Sequence, residues 1–247
     1  MTLSTFECIA SITEHSAGFA QIARVDLGAR VEHCPEWSVA DLVWHLTEVH
    51  WFWATIAEER PDSPPEESRR PPRGSDDELV DDFVAGAARL VQVLRDADQT
   101  ASCWTWAPSQ QDVAFITRHQ VQETAVHHWD AVHAAGGSLF IEDDVAVDAV
   151  EEFLTFSVSS DADPADPQRP PLDGRLGLRA VGTDAAWTLT DGRTPGTVAL
   201  ERGAADVPTV EATASELLLW LYGRTEVDES AVDAGLLARF RGLCFTD

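Results

Sequence analysis

Residues 37–58 read WSVADLVWHLTEVHWFWATIAE. Ser38 stands where a helix N-cap belongs, and Asp41 follows three residues later, a capping-box-like start. Val39, Leu42, Val43, Leu46 and Val49 then give a broad apolar surface at helical spacing. The pattern predicts a helix from Val39 to about Glu58, closed by Arg60-Pro61 and a polar, proline-rich loop that runs to Gly74.

Similar signals flank this stretch. Residues 4–28 carry Phe6, Ile9, Ile12, Phe19, Ile22, Ala23 and Leu27 at roughly helical spacing. Ser75 or Asp76 opens a third helix, whose apolar face is Leu79, Val80, Phe83, Ala87, Leu90, Val91 and Leu94. A fourth runs from about Asp112 to Ala135 and stops at Gly136-Gly137. Four such helices predict an up-and-down bundle, with crossover connections allowed by the loop lengths. A short further helix covers about 144–158 and completes a first domain over residues 1–158. Residues 159–174, SSDADPADPQRPPLDG, read as an acidic, proline-rich linker. Beyond it LGLRAV, AWTLT and GTVAL read as strands, with Asp191-Gly192 as a turn. Helices follow at about Ser215–Tyr222 and in AVDAGLLARFRGL, so residues 175–247 are expected to form a small α+β domain.

The chain has 247 residues with Asp+Glu 43 against Lys+Arg 17, and every one of the 17 is arginine. The net charge of −26 argues against nucleic-acid and anionic-membrane partners, which require a basic face. Neither half hides such a face: residues 1–150 carry −17 and residues 151–247 carry −9. Without lysine there is no lysine Schiff base and no P-loop lysine. An anion must be held by arginine, backbone N–H groups or a metal. No stretch reaches the length of a membrane span, and the N-terminal residues lack the basic start and apolar core of a signal peptide. Cys8, Cys34, Cys103 and Cys244 are scattered without a CxxC pair, which excludes a cysteine-based zinc site and fits a reducing cytoplasm.

Chemistry concentrates on the fourth helix. Glu123 and His127, at i and i+4, share one helix face and could form half of a divalent-metal site; a solvated ion pair would have the same spacing. Asp130 lies three residues on and could orient His127. On the second helix His45 is embedded in an apolar surface, where it either hydrogen-bonds within the core or binds something. His50, five residues on, points elsewhere, and His119, His128 and His133 read as surface or packing residues.

Two segments together carry a resemblance. CPEWSVADLVWHL and FITRHQVQETAVHHWDA are similar to the N-terminal domain of the mycothiol-dependent maleylpyruvate isomerase family, a branch of the DinB-like metal-binding bundles. The matching positions are Trp37, Ser38, Asp41, Leu42, His45 and Leu46, then Glu123, His127 and Asp130. ATASELLLWLYGRTEV resembles the family's smaller, sterol-carrier-like second domain. The resemblance implies a DinB-like four-helix bundle followed by a small α+β domain. It implies that His45, Glu123 and His127 are ligands of a divalent metal, a set that suits Zn²⁺ and also tolerates Ni²⁺, Fe²⁺ or Mn²⁺. It also implies a small thiol, mycothiol, used as thiolate. In an isomerase that thiolate adds to a cis double bond, rotation follows, and its expulsion leaves the trans isomer. In an S-transferase it attacks an electrophile and stays attached. A non-catalytic metal- or ligand-binding protein is the reading from outside enzymology. Arg224, at a helix end where the family places an arginine, is the candidate for holding a substrate carboxylate; its alternative is to complement the helix dipole.

Overall fold

The computed structural model describes residues 2–158, 170–194 and 196–245. The chain divides into two compact units, one over residues 2–140 and one from Ile141 onward. No helix among the described residues is long and apolar enough to cross a membrane.

The first unit is a helical bundle of α1 (Thr5–Ala23), α2 (Val39–Glu59), α3 (Asp76–Asp96) and α4 (Val113–Ala134). A single 3₁₀ turn, Glu67–Arg69, interrupts the proline-rich loop. Side-chain caps start each helix. Ser4 with Glu7, Ser38 with Asp41 and Ser75 with Glu78 form capping boxes, and Asp112 accepts from the Phe115 amide. Gly136, at φ 75°, ends α4: its amide and that of Gly137 donate to the carbonyls of His133 and Val132, a Schellman motif. Packing pairs α1 with α4 and α3, and α2 with α3 and α4, while α1 and α2 barely touch. Sequential α1 and α2 therefore lie across a diagonal of the bundle, which departs from the expected up-and-down order by a crossover of the kind the loop lengths allow. Phe19 and Phe83 meet edge-to-face at 4.9 Å in a core shared with Leu42, Leu46 and Leu79.

α4 is enclosed on most sides and carries its polar residues inward: Thr117, His119, Gln120, Gln122, Thr124, His127 and Asp130 are all buried. A helix enclosed in this way need not be amphipathic. Its buried polar groups carry an energetic cost that requires partners or a function.

The second unit holds α5 (Asp143–Phe153), a π-helical turn (Leu154–Val158), strands β1 (Arg175–Ala180), β2 (Ala186–Asp191), β3 (Val198–Arg202) and β4 (Thr209–Ala212), then α6 (Ala214–Leu221) and α7 (Ala234–Leu243). The sheet order is β3-β2-β1-β4; β1–β2 and β2–β3 are antiparallel and β1–β4 is parallel. The expectation of a mainly α bundle followed by a small α+β part is met. Two details differ. The sequence reading has no β4, because four residues within VPTVEAT are too short to show alternation. The reading also carried the first domain to residue 158, whereas the compact unit ends at Phe140 and α5 packs along α6. Phe153 meets the Tyr222 ring at 5.0 Å, and the Ile141 amide donates to Ser215 Oγ at 3.2 Å. The apolar side of α5 is buried on α6. Most of the expected linker, residues 159–169, lies outside the described residues.

Candidate metal centre

The bundle brings His45, Glu123 and His127 together. One donor atom from each lies within 4.8 Å of the others. His45 Nε2 is 3.0 Å from Glu123 Oε1, and His127 Nε2 is 3.5 Å from the same oxygen. The ligands of a tetrahedral ion with 2.0–2.1 Å bonds lie roughly 3.3 Å apart, and Glu123 Oε1 already stands at about that spacing from both imidazoles.

Each position follows from local structure. α2 starts rigidly, because the amides of Val39 and Ala40 donate to the carbonyls of Ala29 and Leu27, and the Asp41 amide donates to Ser38 Oγ. His45 sits two turns into that helix, and the Trp37 ring packs on its imidazole at 4.9 Å. Glu123 and His127 are neighbours along α4. The two histidine rings meet edge-on at 5.0 Å. His127 is buried, and His45 and Glu123 are half-buried, so the cluster opens towards solvent on one side. The solvated-pair alternative for Glu123 and His127 does not fit a carboxylate whose side chain keeps only 16% of its exposure.

The electrostatics are those of a desolvated, coupled cluster. Burial pushes Glu123 upward, but the charge of His127 and hydrogen bonds from His127 and His45 outweigh it and hold the carboxyl well below its ordinary range. Burial also disfavours the charged form of His127. The Glu123 charge, with hydrogen bonds to Asp130 and Glu123, overrides that and raises the imidazole to about 9. Asp130, buried on α4, lies with Oδ2 3.0 Å from His127 Nδ1. That contact commits Nδ1 as a donor and leaves Nε2 to face the cluster, the arrangement that a metal-bound histidine needs. Two imidazoles and a carboxylate form a borderline donor set, and it fits a divalent transition ion.

Arg224 belongs to the second unit. α6 ends in a Schellman motif: Gly223, at φ 70°, donates to the Trp220 carbonyl and the Arg224 amide donates to that of Leu219. The Arg224 guanidinium is half-buried, donates from Nη1 to the Tyr222 carbonyl at 2.8 Å and lies 5.6 Å from the Tyr222 ring centroid. These contacts give the side chain a defined conformation.

The sequence profile of the family described as "Mycothiol maleylpyruvate isomerase N-terminal domain" matches residues 9–132, half of the chain. The chain belongs to this maleylpyruvate isomerase family. Two solved structures share the fold. The crystal structure of the mycothiol-dependent maleylpyruvate isomerase matches with TM-score 0.61 and 12% identity, covering 91% of this chain and 92% of that one. A histidine-to-alanine mutant of that enzyme matches with TM-score 0.60 and 13% identity over the same shares. No curated protein matches significantly. The family profile spans all three candidate ligands, and the shared fold extends into the second unit.

Sequence reasoning missed part of the surroundings. His50 is fully buried against the Phe83 ring, and neither ring nitrogen has a hydrogen-bond partner. Gln120, one helical turn before Glu123, is fully buried with both amide atoms unpartnered. The only signal that could have flagged Gln120 was a glutamine on the Glu123 face. His133, read as a surface or packing residue, instead joins Glu32 and His33 in a second group of possible ligands.

Proposed function

We propose that this protein is a metal-dependent, mycothiol-using isomerase that converts a cis-unsaturated keto dicarboxylic acid of the maleylpyruvate type to its trans isomer. The observation that carries the reading is the convergence of His45, Glu123 and His127 in a chain of this family. A divalent ion held by those three residues would lower the pKa of a thiol that binds to it.

The chain's own residues prepare the site. Without the ion, His127 carries its second proton at Nε2, facing Glu123, and loading the ion requires that proton to leave. Asp130 keeps the remaining proton on Nδ1 and so fixes which nitrogen faces the cluster. Trp37 limits rotation of the His45 ring. Glu123 sets a negative charge between two imidazoles and so favours a cation over an anion at the centre. The half-exposed side of the cluster admits a small thiol. Arg224 is proposed to hold a substrate carboxylate bidentately, a role its preset side chain suits at low entropic cost.

The test combines elemental analysis with turnover. The purified protein should contain a divalent metal, zinc first among the candidates, and should isomerise maleylpyruvate only when mycothiol is added. His45→Ala and His127→Ala should lose both metal and turnover. Arg224→Gln should raise KM more than it lowers kcat, and should keep its metal. Mycothiol consumed into a stable S-conjugate would make the protein an S-transferase instead. A full metal load without thiol chemistry of either kind would make it a binding protein.

A further inference from the structure

The first unit carries a second group of metal-binding side chains, separate from the candidate centre. Glu32, His33 and His133 place one donor atom each within 4.8 Å of one another. Glu32 and His33 are the central residues of a tight turn, in which the Cys34 amide donates to the Val31 carbonyl at 3.3 Å. The turn is anchored: Val31 is buried, and its amide donates to the Trp37 carbonyl at 3.0 Å. Both side chains are thus presented from a fixed backbone. His133 comes from the last turn of α4, whose end is locked by the Gly136-Gly137 cap.

The rings are held as well. Trp129, one turn earlier on α4, stacks on His133 with centroids 4.7 Å apart and planes within 10°. His33 packs against Trp129 at 5.7 Å and against His133 at 5.6 Å. His133 Nε2 lies 2.8 Å from Glu32 Oε2. Glu32 is exposed and the two histidines are half-buried, so an ion can reach the donors from water and complete its coordination with water. His133 follows His127 by six residues, about 600° around the helix at ~100° per residue. The two therefore leave α4 in different directions, and the groups share no ligand.

We infer that Glu32, His33 and His133 form a second, peripheral site for a divalent transition metal. Two imidazoles and one carboxylate select Zn²⁺, Cu²⁺ or Ni²⁺ over Mg²⁺ and Ca²⁺, which need all-oxygen shells. The protein's charge of −26 raises the local concentration of any cation. Binding ties the α1–α2 loop to the end of α4. Solvent exposure makes this the weaker of the two sites.

The experiment is a Zn²⁺ titration of chelator-stripped full-length protein, followed by calorimetry and elemental analysis. Wild type should take up two equivalents, the second more weakly. The double variant His33→Ala/His133→Ala should lose the weak equivalent and keep the tight one. His45→Ala/His127→Ala should do the reverse, so failure at the candidate centre and failure here are separable. Glu32→Gln, which preserves shape at an exposed position, should weaken the second equivalent about tenfold, and the circular dichroism of each variant reports its folding. Equal uptake by wild type and His33→Ala/His133→Ala overturns the inference, as does unchanged weak-site affinity in Glu32→Gln.

Discussion

The buried carboxylate of Asp130 stands 3.0 Å from Nδ1 of His127, one helical turn away and on the opposite side of the ring from Glu123. His127 therefore has an anion at each nitrogen. Asp130→Asn leaves size and fold intact but can no longer impose a single tautomer. The expected outcome is metal affinity lower by about 10- to 100-fold, with the stripped protein still folded but less stable, because Asp130 also helps hold His127 charged. Competition against a chelator of known affinity measures it. Affinity within twofold of wild type would mean that Asp130 does not orient the ring.

Glu123 is the anion that holds His127 charged. In stripped protein the raised His127 pKa stabilises the fold fully below the ordinary histidine pKa, and that stability is lost as pH rises towards about 9. Glu123→Gln removes the largest favourable interaction of the charged ring, against unchanged burial. The His127 pKa should fall, and the decline in stability between about pH 6.5 and 9 should flatten. Nitrogen-detected NMR titration of the histidines gives the first quantity and urea unfolding across the pH range gives the second. An unmoved His127 would show that Asp130 alone sets its charge.

How far the centre was legible in the sequence depends on which interactions are local. Ser38 with Asp41, and Glu123 with His127 and Asp130, act within one helix, and their spacing alone places them. The meeting of His45 with Glu123 joins residues from α2 and α4, and only the family resemblance anticipated it. His133 against Glu32 is equally non-local, and no periodicity signals it. The same logic explains the fold. The starts of α2 and α3 and the glycine stop of α4 were readable from caps and glycines, whereas apolar spacing alone carried α1 on to Leu27, past its end at Ala23. The burial of α5 on α6 was not readable, because an amphipathic helix does not state which surface it covers.

His50 supplies an acid limb. Burial, with the charge of His45 adding to it and that of Glu123 opposing, pushes its imidazole down to about 4 from an ordinary 6.5. Folding therefore excludes a proton that the unfolded chain binds. The associated stability is fully present above pH 6.5 and is lost as pH falls through about 4. Two and a half pH units correspond to about 3 kcal/mol as an upper figure. His128, also pushed down to about 4 by burial and by His15, contributes in the same direction. In stripped protein, His50→Leu should remove part of the stability loss between pH 6.5 and 4, measured by urea unfolding, and leave the His128 part. An unchanged slope would place the His50 ring in contact with water.

Gly18 marks where α1 and α4 approach. A Cβ built on it would lie 2.6 Å from Nε2 of His128 and closer still to Cε1. The ring has little freedom to swing away, since its Nδ1 sits 3.1 Å from Nδ1 of the buried His15. Two effects oppose each other in Gly18→Ala. Helix propensity favours alanine by about 1 kcal/mol. Forcing a methyl into packed side chains costs about 1–3 kcal/mol. The clash should win, giving net destabilisation of about 1 kcal/mol. In a His128→Ala background the obstacle is gone, and the same substitution should become stabilising. A double-mutant cycle by urea denaturation reads this change of sign. Destabilisation of the same size in both backgrounds would show that His128 is not what excludes a side chain at position 18.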